Sequence, residues 1–171
     1  MDDMQRKALE QEFEQVSARL TEMMGMMPEM EAAYAKYEAA SRAGMVSAIY
    51  DVLCEEQAEC ERMEGHVATA QASYDAAKKR EDQTGSVLAL DKLNAQKLAL
   101  EHAKAHLDKA KARFAQEIER QGFDSEEAFK AAYLNKPAFM NLEEKLRPFS
   151  KEYNTLLERC KELDALLSTE E

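Results

Sequence analysis

From Leu9 the apolar positions recur in alternating steps of four and three: Leu9, Phe13, Val16, Leu20, Met23, Met27, Met30, Tyr34 and Tyr37. That spacing is the a/d seam of a coiled coil. The seam keeps its phase through Gly25 and Pro28, which predicts a helix that a proline kinks without ending. The phase slips across Ser41-Arg42-Ala43-Gly44. It resumes as Val46, Ile49, Leu53, Cys60, Met63, Val67, Ala70, Tyr74 and Ala77, with Glu56 as the one polar member. A slip of this kind is a stutter or a local break, and it changes the supercoil where it falls.

The stretch Arg80-Glu81-Asp82-Gln83-Thr84-Gly85-Ser86 lacks apolar residues. It predicts a turn over 81–86, the tip of a hairpin built on Asp82, Gly85 and Ser86, with Ser86 as the N-cap of the next helix. Beyond it Leu93, Leu100, Leu107 and Phe114 recur every seven residues, with the small Ala103 and Ala110 in the alternate seam positions. Gln121-Gly122-Phe123-Asp124-Ser125 predicts a break: Gly122 suits a helix C-terminus, and Asp124 or Ser125 followed by acids suits a new start. A short helix then reaches Leu134, and Asn135-Lys136-Pro137 restarts the pattern with Pro137 in the first turn. The last stripe is Phe139, Leu142, Leu146, Phe149, Tyr153, Leu156, Cys160, Leu163 and Leu167, with Pro148 inside it.

These elements predict an all-α chain, a single coiled-coil domain over 1–171. Arm one covers 2–80, the turn 81–86, and arm two 87–168 with its break at 121–125. Folded as a long antiparallel coiled-coil hairpin, the arms set Gly44 opposite Phe123 and Pro28 opposite Phe139, so that defects meet defects. The acidic stretch 51–66 then faces the basic stretch 101–116, which favours that pairing. The alternative is a compact four-helix bundle with helices near 3–40, 45–80, 87–121 and 125–168. Strict a/d stripes favour the hairpin, because a bundle core asks for a wider apolar face. Gly44, Gly122 and Phe123 are the expected structural joint: Gly122 ends the helix in a left-handed conformation, and Phe123 packs across the arms near Gly44, where a missing side chain leaves room.

Composition narrows the functional classes. Five Gly and three Pro offer few turns, and helix formers dominate the 171 residues. No apolar run is long enough for a membrane span, and the first residues lack the apolar core of a signal peptide. Cys54, Cys60 and Cys160 are spaced for neither a disulfide framework nor a zinc site, so a reducing, cytoplasmic setting is expected. A net charge of −11 argues against a dedicated nucleic-acid surface.

Candidate chemistry is sparse. Cys54, Cys60 and His66 are six residues apart and diverge around a helix; His102 and His106 lie one turn apart without a third ligand. The methionines between Met23 and Met30 fit core packing better than an adaptable binding surface. Lys78-Lys79-Arg80 is a small basic patch of the solvated kind. No phosphate-cradling loop or nucleophile–base arrangement is legible. The expectation is therefore no catalytic, metal or cofactor-binding residue, and a chain that is not itself an enzyme.

The stretch from Gln121 to Ala132, with Gly122-Phe123, Ser125, Glu127, Phe129 and Ala132 in register, resembles a segment in the coiled coil of SbcC-type exonuclease subunits, the SMC-like ATPases of DNA double-strand break repair. There a GF-x-S/D-x-E-x-[FY]-x-x-A stretch follows the outgoing helix and leads into another long helix. Ala43-Gly44-Met45-Val46 is faintly similar to a segment on the incoming helix of that family. The CxxC zinc hook of the family is missing, as are its Walker A loop and signature motif. The resemblance implies a piece of the arm, or a hookless form of it: a rigid spacer whose partners are proteins, either a nuclease subunit or a second copy of the arm. The competing expectation is a stand-alone helical module for protein–protein interaction.

Overall fold

A computed structural model describes residues 1–169. Among these, 92% are helical and no strand occurs. The helices are α1 (Asp3–Lys79), α2 (Gln83–Arg120), α3 (Glu126–Ala132) and α4 (Lys136–Ser168). The fold is all-α, with α1 and α2 long and packed together. Contacts divide the chain into two compact units: Met1–Ser41 with Ala132–Glu171, hereafter unit 1, and Arg42–Ala131, unit 2. The four-helix alternative needs an interruption at 41–44, and α1 is helical there.

In unit 2 the second half of α1 runs antiparallel to α2. The seam supplies most of the unit's buried residues: Val46, Leu53, Cys60, Ala70 and Ala77 from α1 and Leu93, Ala103, Ala110 and Phe114 from α2, joined by Ala43 and Phe129 from outside it. At the slip the buried positions Ala40, Ala43 and Val46 are spaced by three. Three residues turn about 300°, so the buried stripe drifts around the helix there instead of following the 3.5-residue average of a coiled coil. Gly44 lies off that stripe.

The turn is shorter than the expected 81–86. The chain is outside helix only from Arg80 to Asp82. The Asp82 amide donates to the Ala77 carbonyl (3.1 Å) and that of Glu81 to Lys78 (3.1 Å), with Glu81 at φ 56°. This is a Schellman closure with a glutamate in the position glycine usually takes. Asp82, not Ser86, is the N-cap: its carboxylate accepts from the Gly85 amide at 2.9 Å. Ser86 is already inside α2 and donates its hydroxyl to the Asp82 carbonyl (2.6 Å). An Asp cap satisfies a free amide and places a negative charge at the helix N-terminus, so α2 starts at the earlier of the two capping residues. Gly85 is not a turn glycine either, but sits within the first turn of α2.

In unit 1 the first half of α1 packs on α4. Val16, Leu20 and Leu163 form the buried cluster, with Leu9, Phe13, Tyr153, Leu156 and Cys160 against it. Ion pairs that cross between the helices include Arg159–Glu12 (2.7 Å), Arg19–Glu152 (2.7 Å) and Lys145–Glu29 (3.4 Å). Both α1 and α4 run through their internal prolines, Pro28 and Pro148. Asn135 caps α4 by accepting from the Ala138 amide (2.9 Å), with Pro137 in the first turn.

The pairing differs from the single register expected. Phe139 stacks on Tyr37 (4.8 Å, 18°), not opposite Pro28. The reason is length: α3 and its flanking loops consume residues on one side of the pairing while α1 continues as regular helix. Tyr34 also departs from its seam position and is 60% exposed.

Candidate functional site

The break between α2 and α3 is built from local rules first. Gly122 has φ 80°, where a side chain is costly. Its amide donates to the Glu119 carbonyl (3.0 Å), and the Phe123 amide to Ile118 (2.8 Å), closing the helix as a second Schellman motif. Two residues on, the Ser125 hydroxyl accepts from the Ala128 amide (3.1 Å) and caps α3. Glu126 and Glu127 fill the first turn of α3, as the helix dipole favours. The break over 121–125 thus stands where the sequence places it, and Ser125 rather than Asp124 starts the new helix.

Aromatic side chains then fasten the break. Phe129, only 2% exposed, lies edge-on to Phe114 (5.7 Å) and to Phe123 (6.1 Å), and Tyr50 meets both Phe114 and Phe129 at 5.4 Å. Edge-to-face contacts at such separations are favoured by the ring quadrupoles. Lys130 lies over the Tyr50 ring at 5.5 Å and pairs with Glu126 at 3.2 Å. The Tyr50 hydroxyl and then the Glu126 carboxylate hold its ammonium above the usual lysine range.

Arg42 of α1 completes the arrangement. Its Nη1 donates to the Gln121 carbonyl at 2.6 Å, supplying a cation to a C-terminal carbonyl of α2. Its guanidinium lies over the Phe123 ring at 5.2 Å. A Cβ at position 122 would come within 3.2 Å of Nη1.

The expected joint is therefore corrected at one residue. Gly122 and Phe123 are in it, but Gly44 is not: it is exposed, and a Cβ there meets nothing within 4 Å. Phe123 packs under Arg42 and against Phe129 instead of entering a gap at Gly44. The physical reason is the drift of the buried stripe, which turns Ala43 and Val46 inward and leaves Gly44 on the solvent side. Arg42 and Tyr50 were not singled out by the pattern. Arg42 falls within the phase slip, but its partner Gln121 lies 79 positions away, so local spacing does not mark it.

The remaining candidates stay apart. Cys54 is exposed, Cys60 buried and Cys160 half-buried. Burial, then Glu64 and Glu56, push the Cys60 thiol up. His66, His102 and His106 are exposed. No three His, Cys, Asp or Glu side chains among the described residues are placed to hold a metal ion. Met23 and Met30 are buried while Met24 and Met26 are exposed, so the methionine cluster divides between core and surface. Lys78 of the basic patch lies over the Tyr74 ring (5.3 Å). No helix among the described residues is long and apolar enough to cross a membrane. What the break gathers is aromatic packing, a guanidinium over a ring and a capped carbonyl, which are means of holding a chain to itself. Comparison with known proteins finds no matching family model, no similar curated protein and no similar solved structure.

Proposed function

We propose that the chain is a structural spacer, a coiled-coil arm segment of an SbcC-like, SMC-family ATPase that acts in DNA double-strand break repair in the cytoplasm. In this reading it carries no catalytic group of its own. Its partners are proteins, a nuclease subunit or another copy of the arm. One observation carries the reading: the residues that bear the resemblance are the residues that build the break. Gly122 takes the left-handed turn, Phe123 meets Arg42, Ser125 caps α3, and Phe129 is the buried anchor. An arm gains from such a device, because a uniform coiled coil bends nowhere in particular, whereas a capped interruption fixes the place.

The test is the gene on either side of this stretch. A Walker A loop encoded upstream of Met1 and an ATPase signature motif downstream of Glu171 are expected, and an open reading frame with neither overturns the reading. A second reading, a free-standing helical interaction module, is favoured by the exposed Tyr34 and the groove around it. The same sequencing separates the two.

A further inference from the structure

Toward the tip of unit 2 a cleft of about 270 Å³ opens between the two helices. His66, Thr69, Ala70 and Ser73 of α1 line it on one side, Lys92 and Gln96 of α2 on the other. Helical spacing explains the gathering. His66, Thr69 and Ser73 are three and four residues apart, and Lys92 and Gln96 four, so each set stands on one face of its helix. Ala70, the buried member of the set, is small enough to leave a hollow where a larger seam residue would fill it.

The lining is notable for what it lacks. It holds no carboxylate, although the chain carries 34 Asp and Glu. Residues 66–100 include five Lys or Arg and four Asp or Glu, whereas the whole chain has a net charge of −11. This end of the helix pair therefore does not repel an anion as the rest of the chain does. Thr69 donates its hydroxyl to the Gly65 carbonyl (3.1 Å). The Lys92 ammonium, the Ser73 hydroxyl, the Gln96 amide and the His66 imidazole have no hydrogen bond or ion pair among the described residues. Four donors from two helices thus line one cleft with no partner in the chain.

We propose that this cleft binds a phosphate group, as inorganic phosphate or as the phosphoryl end of a small phosphate ester. The donor set selects that class. A lysine supplies the point charge, and the three neutral donors match an acceptor with three terminal oxygens and nearly two negative charges. A carboxylate offers two oxygens in one plane and a single charge, and leaves donors unmatched. A metal ion would find one imidazole beside an ammonium, which is not a ligand set. A phosphate held by His66 and Ser73 on α1 and by Lys92 and Gln96 on α2 ties the helices together across their seam, so its binding also opposes unfolding. An arm and a free-standing module would carry the cleft alike.

Isothermal titration calorimetry on the full chain, with amide shifts followed by NMR at constant ionic strength in chloride, tests it. Inorganic phosphate is expected to bind saturably with a Kd of about 1 mM, moving the amides of 66–73 and 92–96 ahead of the rest. Phenyl phosphate bound more tightly than inorganic phosphate identifies an ester as the occupant; equal or weaker binding identifies the free ion. Lys92→Gln is expected to weaken binding by about tenfold or more and Ser73→Ala by about threefold, both with helicity unchanged. Lys97→Gln, outside the cleft, leaves binding as it was. No saturable binding up to about 50 mM phosphate, acetate bound as tightly as phosphate, or a Lys92→Gln chain that binds as well as Lys97→Gln each overturns the proposal.

Discussion

Gly122 and Glu81 occupy the same position in two Schellman closures, and only one of them is a glycine. Gly122 has φ 80° and Glu81 φ 56°, and a left-handed residue with a Cβ costs roughly 1–2 kcal/mol. Gly122→Ala is therefore expected to lower stability by about 1–2 kcal/mol, and by more if Arg42 is displaced, since the new Cβ lies 3.2 Å from its Nη1. Glu81→Gly goes the other way. Relief of the backbone outweighs the entropy a glycine adds to the unfolded chain, for a gain of about 0.5–1 kcal/mol. Urea titrations followed by circular dichroism check both signs.

Among the elements, α3 is the one that cannot stand alone. Seven residues are too few for a helix without tertiary support, and Phe129 provides it from a buried position. Phe129→Ala should cost about 3–5 kcal/mol, the range for deleting a buried ring. Phe123→Ala should cost clearly less, because Phe123 is half-buried with its ring against Arg42. Thermal melts of the two variants give the order; equal losses would contradict it. The elements also show what was legible in the sequence. The seam of unit 2 and the stripe of α4 followed from period alone, because burial of an apolar stripe dominates a long amphipathic helix. The break at 121–125 followed from Gly122 and Ser125. The tip lies a few residues earlier than the pattern places it, since Asp82 and Ser86 are both good caps and the pattern does not rank them. Period alone places Gly44 in the joint and Tyr34 in the seam, whereas both are exposed, because a drift of the stripe around α1 is a three-dimensional event that leaves each local residue preference unchanged. Arg42 and Tyr50 depend on partners far away in sequence, so their roles had no local signature.

For the whole molecule, the titrating contacts are divided between the two units. In unit 1 the Arg159 guanidinium holds Glu12 below its ordinary 4.5, and Arg19 does the same for Glu152. A depressed carboxylate stabilises above its unfolded value, and the contribution is lost as pH falls through the folded value. In unit 2 the raised groups are Lys130 and Cys60, with ordinary values of 10.5 and 9.0. Their contributions are present below those values and lost as pH rises through the folded ones. Acid below pH 4.5 should thus weaken unit 1 first, and strong alkali unit 2. Amide resonances followed through melts at each pH, sorted by unit, report the order, and the same unit failing first at both extremes would refute it. The Arg42–Gln121 hydrogen bond has a consequence of its own, for folding kinetics. Its partners lie 79 positions apart, at the open end of the antiparallel pair whose closed end is the Asp82 turn. Loop closure favours contacts near the turn, which pair while the intervening chain is short. The guanidinium therefore finds its carbonyl only after the helices between have zipped up, and it acts as a latch rather than a seed. Arg42→Ala should accelerate unfolding and leave the folding rate nearly unchanged, a φ-value near zero in stopped-flow measurements.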